Sequence, residues 1–401
     1  MWIRLSVGIF LNRFASTLYQ MTEFSAQEMS LRLRQIIVDM IHEAGGWIGF
    51  DVFMAQALYA PELGYYAHGS KKLGLFPGEI NQDGSSNGSD FVTAPELSPL
   101  FGQALSTQIQ QALVETGTRE VWEFGAGSGA LALQLIRTFE REGWPLPKYN
   151  IVDLSGSLIS RQKDTLKDYL DNVTWVSEWP SSMSAVVIGN EVLDAMPVKL
   201  IARINGLWYE RGLVANEETT TESPWRWEDR LTQLRPPIEI EGDHDYLTEI
   251  HPQAESFIRS LADKLKQGAA FFFDYGFPEA HYYHPQRCMG TVMCHRSHRA
   301  DDNPLTSVGD KDITSHVNFT GIAMAAQDSG LGVLGYCNQG RFLINCGLVD
   351  LMQVSSLSLR SEAQKLIMEH EMGELFKVIG LYKGRSWNAI GFAEGDKTHT
   401  L

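Results

Sequence analysis

The sequence predicts an α/β fold: a doubly wound, Rossmann-like sheet with an N-terminal helical extension and an antiparallel β insertion after strand 4. Three observations lead there. From about residue 119, short apolar runs alternate with helix-period runs. "EVWEF", "YNIVDL", "VTWV", "SAVVIGN" and "AAFFFDYG" read as strands, "GALALQLIRTFERE" and "SLISRQKDTLKDYL" as helices. Near-continuous apolar strands separated by helices belong to a parallel sheet covered on both faces. The first strand runs into the glycines of "GAGSG" and leaves them as a helix. Lastly, "VKLIARINGLWYERGLV" is two alternating runs joined by Asn205-Gly206, a pair that favours a type I′ hairpin.

The elements follow in order. Residues 1–20 contain arginines and no acids. They read as an upstream start with Met21 as the natural one, as a helical extension, or as an organelle-targeting segment. Residues 21–110 read as a helical cap. "LRLRQIIVDMIHEAGG" has helical spacing and stops at a glycine pair, and "DVFMAQALYAPELGYY" is a second helix broken at Pro61. A mobile loop is expected over 67–90, where Gly, Ser, Asn and Asp dominate. Then "FVTAPELSPLFGQALSTQIQQAL" reads as a short extended piece and a helix. Residues 111–401 form the main domain, interrupted by the insertion at 198–245. "HPQAESFIRSLADKLKQG" is a helix ending at Gly268 that feeds the fifth strand. "MGELFKVIGLYKG" reads as helical and "SWNAIGFAEG" as a last strand.

Composition narrows the function. The chain has 401 residues, 44% of them hydrophobic, with a formal net charge of -16. Such a charge repels a phosphate backbone, and no basic run offsets it, so no nucleic-acid partner is expected. Four cysteines in this length make no disulfide framework and fit a reducing, cytoplasmic compartment. No apolar run approaches the roughly 20 residues that span a bilayer.

The glycine turn carries the chemistry. Gly125, Gly127 and Gly129 leave the backbone bare where a strand becomes a helix, so a ligand can approach N–H groups at a positive dipole end. That suits any nucleotide-like cofactor. Glu123, two residues before the first glycine, discriminates between them. A carboxylate there suits a cationic, hydroxyl-rich ligand such as S-adenosylmethionine (SAM) and sits awkwardly beside a dinucleotide's diphosphate. Asp153, at the second strand's tip, is placed to accept from both ribose hydroxyls, whichever adenosine cofactor binds. Leu154 beside it joins the cofactor set.

The fourth strand runs into "GNEVLDAMPV". Ligands of open α/β sheets bind at the carboxyl ends of strands, so Asn190 and Glu191 should overlook the cofactor. Glu191 and Asp194 are three apart and would share one face in a helical turn. Such a carboxylate pair can hold a guanidinium and take up the proton released on its methylation. The other reading is that both are helix-cap acids.

These blocks resemble the MidA family of class I SAM-dependent methyltransferases. "ALYAPELGYY", "SDFVTAPELSPLFG", "EFGAGSGALA", "VDLSGSLISRQ", "GNEVLDAMPV", "FFDYGF", "GTVMCHRSH", "DITSHVNFT" and "MGELFKVIGL" carry the resemblance, which spans roughly residues 45 to 395. The chain departs from the family pattern at Ser89, Ala126 and Ser128, where relatives have Gly and often have Pro and Arg. The resemblance implies a class I methyltransferase fold with SAM as cofactor. It implies that Glu123, Gly125, Gly127 and Gly129 hold the methionine part and Asp153 the ribose. It also implies that Thr93, Ala94, Pro95 and Glu96 close over the site. The family's eukaryotic branch is mitochondrial and associated with arginine methylation during respiratory complex I assembly. For a eukaryotic chain, the expected location would therefore be the mitochondrial matrix.

His281, His284, Cys288, Cys294, His295, His298 and His316 crowd one segment, but their spacing fits no standard zinc site, so no metal is expected. His316 and Asn318 are candidate substrate-pocket residues instead, with Asp274 and Tyr275 at the fifth strand's end. The leading expectation is a SAM-dependent methyltransferase acting on a protein, with arginine as the methyl acceptor. The alternatives are a non-catalytic assembly factor that retains the fold, and an NAD-dependent oxidoreductase. The helical cap and the insertion could form either a homodimer face or a substrate platform.

Overall fold

The computed structural model describes residues 26–67, 92–153, 155–216, 224–296 and 299–401. The expectations for 1–20, for Leu154, for His298 and for nearly all of the 67–90 loop lie outside these residues.

Helix α1 (Ala26–Glu43), the two-residue strand β1 (Ile48–Gly49) and helix α2 (Phe50–Tyr59) come first. A single turn, α3 (Ala94–Leu97), leads into α4 (Leu100–Thr116), which Gly117 ends in the left-handed conformation. The alternation then proceeds through β2 (Glu120–Phe124), α5 (Ala130–Arg141), β3 (Lys148–Val152), α6 (Gly156–Thr165), β4 (Val173–Val176) and β5 (Met183–Asn190). Four strands follow: β6 (Lys199–Ile204), β7 (Leu207–Ala215), β8 (Trp225–Leu231) and β9 (Tyr246–Ile250). Helix α7 (Pro252–Lys264) leads into β10 (Leu265–Phe277), so the helix stops short of Gly268, which lies inside the strand.

The large sheet has the order β4-β3-β2-β5-β10, all parallel. Beyond β10 lie β16 (Phe376–Lys383), which is antiparallel, and then β15 (Gly332–Asn338) at the edge. The antiparallel β16, wedged between β10 and β15, departs from the six-strand order of dinucleotide-binding sheets. It is the order of a class I methyltransferase sheet. One core packs α4 and α5 against the sheet face carrying Val121, Val186, Phe271 and Val378. A second packs α7 and the helix Phe319–Asp328 against the opposite face.

Two elements differ from expectation near the C-terminus. Residues 376–383 form a strand, not a helix. All of Phe376 to Leu381 are buried, and a short apolar run buried on both faces has no periodicity that separates strand from helix. "SWNAIGFAEG" contains a 3-10 turn at Ile390–Phe392 rather than a strand. Its backbone is satisfied by side chains: the Asn345 amide donates to Gly391 O, and Gln108 Oε1 accepts from Gly391 N. Phe392 meanwhile packs where Gly335 and Gly380 leave room.

The insertion forms its own antiparallel sheet, β1-β7-β6-β9 with β8 alongside β7. Asn205 and Gly206 both have positive φ, 50° and 78°, as a type I′ hairpin requires. The sheet continues past residue 245 into β9 and takes in β1 from the N-terminal region. Helices α1 and α2 pack on it through Leu33, Ile37, Phe50 and Phe53, against Leu200, Leu213 and Trp225. The first part of the cap, α1 and α2, and the insertion thus share one core beside the carboxyl ends of the large sheet, whereas α3 and α4, which fall largely within the expected 21–110 cap, pack into the core of the large sheet instead.

Candidate active site

The glycine turn lies at the carboxyl end of β2. Gly125, Gly127 and Gly129 have φ of 66°, 53° and 83°, a region that L side chains rarely adopt. A Cβ added at Gly127 would meet nothing within 4 Å. The turn therefore leaves open space over its middle glycine, the cradle a ligand needs. Glu123, at the end of β2, is buried and accepts a hydrogen bond from Tyr149 Oη at 2.6 Å. Burial pushes its carboxyl up to about 7. The Tyr149 bond opposes that shift and the charge of Asp153 adds to it. A buried carboxyl poised near neutrality is the environment that an ammonium group of a ligand would ionise.

Asp153 follows β3. Its carboxylate accepts from Ser155 N at 2.9 Å and from Gln162 Nε2 at 2.7 Å. Gln162 Nε2 also donates to Gly127 O at 3.0 Å, which ties the tip of the second strand to the glycine turn. Ser155 caps α6 by accepting from Leu158 N. On the other side Glu96 accepts from Ser128 Oγ, and Gln134 Nε2 donates to Pro95 O at 2.7 Å. Helix α3 is thereby latched onto the glycine turn. Thr93 is its N-cap by backbone position, without a side-chain cap bond.

The carboxyl end of β5 carries the second half. Glu191 is not in a helical turn. Its φ is +54°, a left-handed backbone in a non-glycine residue, so Glu191 and Asp194 meet through a bend rather than along a helix face. Asp274, fully buried at the end of β10, holds that bend: it accepts from Leu193 N at 3.3 Å and Asp194 N at 3.2 Å. Asn190 Nδ2 donates to Glu191 Oε1 at 3.0 Å. Desolvation, then the neighbouring Asp194 charge, pushes Glu191 well above the usual carboxylate range. Burial raises Asp194 to about 6 and pushes Asp274 well above the usual carboxylate range.

A third layer closes the cleft from strand β13 (Asp312–Thr314), which pairs with β11 (Met293–Arg296) as β12 (Arg299–Asp301) does on the other side, and from the residues between β13 and β14 (Val317–Asn318). Ser315 N donates to Asp194 O at 3.0 Å, and His316 N donates to Thr291 Oγ1 at 3.0 Å. The His316 ring lies against Tyr275 and Phe277, and burial pushes its imidazole down to about 4. Four buried atoms here have no hydrogen-bond partner among the described residues: Asn190 Oδ1, Asp194 Oδ1, Ser315 Oγ and His316 Nδ1. Buried polar atoms are rarely left so, and a cluster of them marks where a ligand or water would complete the bonding.

Asn318 stands apart in role. Its Oδ1 accepts from Gly321 N at 3.2 Å and caps the helix Phe319–Asp328. Several wall residues were missed from the sequence. Tyr59 and Tyr66 come from the cap, and Asp312 and Ser315 from the stretch before His316. The quoted blocks "ALYAPELGYY" and "DITSHVNFT" contain all four, but nothing local marks them as facing one cleft. No group of three or more His, Cys, Asp or Glu side chains among the described residues is placed to hold a metal ion.

The sheet order, the bare glycine turn and the acid ahead of it define a class I methyltransferase. Comparison with known proteins agrees. The profile of an S-adenosyl-L-methionine-dependent methyltransferase family matches residues 101–337. The chain is 42% identical to a Burkholderia thailandensis superfamily member solved with S-adenosyl-homocysteine bound, with a TM-score of 0.86, covering 96% of this chain and all of that one. It is also similar to mitochondrial protein arginine methyltransferases of the NDUFAF7 type. The Caenorhabditis elegans homologue is 24% identical over 93% of this chain and 91% of that protein; the Danio rerio protein is 25% identical over 83% of each. The chain belongs to this family of SAM-dependent methyltransferases, the MidA family whose blocks its sequence resembles.

Proposed function

We propose that this SAM-dependent methyltransferase acts on a protein and that the methyl acceptor is an arginine guanidinium. SAM supplies an electrophilic methyl group on a sulfonium. Glu123 and the turn at Gly125, Gly127 and Gly129 are the residues to hold its methionine part, and Asp153 its ribose. Asn190, Thr93 and Glu96 line the same end.

The observation that carries the reading is the acceptor side. Asp274 accepts from Asp194 N, Ser315 N just past Asp312 donates to Asp194 O, and Asp312 accepts from Tyr66, which stacks on the Tyr59 bonded to Ala195 O, so these acids and Glu191 gather at one end of the sheet. Taken out of water, such carboxyls hold protons unless a cation offsets them. A guanidinium is planar, permanently charged and a bidentate donor, so it fits a carboxylate cluster better than a neutral acceptor does. In this reading Glu191 and Asp194 orient the guanidinium and take up the proton lost on transfer. Asp274 keeps their bend in place. Tyr275 and His316 wall the pocket, and Asn318 fixes the helix behind it.

No helix among the described residues is long and apolar enough to cross a membrane. We place the protein in the cytoplasm, or in the mitochondrial matrix if the chain is eukaryotic, as the relatives' names suggest. A role in respiratory complex assembly and a homodimer built on the cap and insertion belong to the same reading. The test is calorimetric titration with SAM and, in parallel, NAD(H), followed by transfer of labelled methyl from SAM to lysate proteins. Binding of SAM alone and label recovered as methylarginine are expected. Label confined to other residues overturns the arginine acceptor, and binding of NAD(H) alone overturns the cofactor assignment.

A further inference from the structure

The helical cap sends one side chain toward the acid cluster that the reaction scheme has not used. Tyr59 closes α2, and its hydroxyl donates to Ala195 O at 2.9 Å, the residue next to Asp194. One face of its ring stacks on Tyr66, with centroids 5.5 Å apart and planes at 23°. Tyr66 is held in turn by a hydrogen bond from its own hydroxyl to Asp312 Oδ1 at 2.8 Å. Yet Tyr59 remains 40% exposed. Among the described residues, no ring other than Tyr66 packs on it. An aromatic anchored at its hydroxyl, backed by a second ring and still open is unusual in a core. It is ordinary in the wall of a cleft.

We propose that Tyr59 is a specificity-determining residue, the stacking wall on which the cap presents a planar cation to the acids that follow β5 and open β13. This rests on the reading of the site as an arginine methyltransferase. The physical argument concerns shape. Asp194 lies beside the anchored hydroxyl and Asp312 is tied to the backing ring. Both carboxylates also act on Tyr59 through space. Charge alone would draw an ammonium into such a cleft as readily as a guanidinium. A phenol face adds what charge lacks. A guanidinium lies flat on it while its N–H edge remains free for carboxylates, whereas a compact, strongly hydrated ammonium cannot do both. The wall therefore selects arginine over lysine. It also explains why cap and insertion share a core beside the large sheet: the acceptor site is complete only when α2 is docked there.

The test uses the full chain loaded with S-adenosyl-homocysteine and two neutral-capped probes, N-acetyl-L-arginine amide and N-acetyl-L-lysine amide, titrated by calorimetry. The wild type should favour the arginine probe by about three- to thirtyfold. Tyr59→Leu should bring that ratio close to one while leaving S-adenosyl-homocysteine affinity unchanged, and Tyr59→Phe should retain the preference. Equal or absent binding of the probes to the loaded wild type, or a preference undiminished in Tyr59→Leu, overturns the wall and leaves the cofactor assignment standing. Failure of the wild type to bind S-adenosyl-homocysteine overturns both. If Tyr59→Leu does not fold, ring-proton shifts of Tyr59 in isotopically labelled wild type read the same contact. They should move with the arginine probe and not with the lysine probe, and unmoved shifts count against the wall.

Discussion

The two halves of the proposed site are built differently. The cofactor half is local: Glu123, Gly125, Gly127 and Gly129 sit within seven consecutive residues, and Asp153 joins them through Gln162. The acceptor half is assembled from Tyr59 in the cap, Glu191 and Asp194 after β5, Asp274 in β10, and Asp312 with His316 far along the chain. One half is a backbone shape that a short motif can encode. The other is a meeting of elements that exists only in the tertiary fold. A change in the first should remove cofactor binding. A change in the second should spare binding and remove transfer.

The sharpest break is Gly127→Val. Open space surrounds a Cβ at this position, so the protein should tolerate the volume and meet only the cost of a left-handed φ. The space it fills is the ligand's. Affinity for SAM should fall roughly a thousandfold or more, with folding intact by circular dichroism. Wild-type affinity in this variant would falsify the turn as the binding site. Next in size is Glu191→Gln, on the acceptor side. SAM affinity should change less than about twofold, while single-turnover methyl transfer falls roughly a hundred- to thousandfold through loss of the base. Full transfer by this variant would return Glu191 and Asp194 to the role of turn-forming acids.

The same contrast explains what the sequence revealed. Strand-helix alternation, the glycine turn and the Asn205-Gly206 hairpin are local patterns, and each recurs in the structure where it was read. The placing of β16 was not legible, because a strand buried on both faces and a buried helix share one composition. Nor was the bend at Glu191. Spacing suggested one helical face, but Asp274, eighty residues away, supplies the acceptor that holds a different backbone. The cap at Asn318 was not legible either: the sequence offered Asn318 as a pocket residue, and its side-chain Oδ1 also accepts from Gly321 N to cap the helix Phe319–Asp328. Tyr59 gave no signal, since an aromatic at the end of an amphipathic helix reads as core.

A third prediction, smaller in effect, probes the electrostatics of the cofactor half. Glu123 is held near 7, above its unfolded value, chiefly by burial. A raised carboxyl contributes stability that is complete below the unfolded value of about 4.3 and is lost as pH rises through 7. Glu123→Gln stays neutral throughout. The variant should therefore match the wild type below about pH 4 and exceed it by about 3–4 kcal/mol near pH 8, read from denaturant unfolding at each pH. A difference that does not vary with pH would mean that Glu123 does not titrate in this window. S-adenosyl-homocysteine should shrink the gap, because its ammonium favours the ionised carboxylate.

The smallest effect comes from Asp153, and it separates ligand contact from scaffolding. Two bonds already engage this carboxylate, from Ser155 N and Gln162 Nε2. Gln162 is fully buried and bound on three sides, to Asp153, to Gly127 O and to Trp175 Nε1, so it transmits any change at Asp153 to the glycine turn. A carboxylate has about four acceptor sites, enough to take ribose hydroxyls beside these bonds. Asp153→Ala should lower SAM affinity by about 1.5–3 kcal/mol, whichever of the two roles dominates. The roles part with a second ligand. If Asp153 reads the ribose, wild type should bind S-adenosyl-homocysteine more tightly than its 2′-deoxy analogue, and Asp153→Ala should bind the two alike. If Asp153 only braces Gln162, the variant weakens both ligands by one factor and the preference for the 2′-hydroxyl persists. The second result would assign the ribose contact to another residue and leave Asp153 as the joint between the two cofactor motifs.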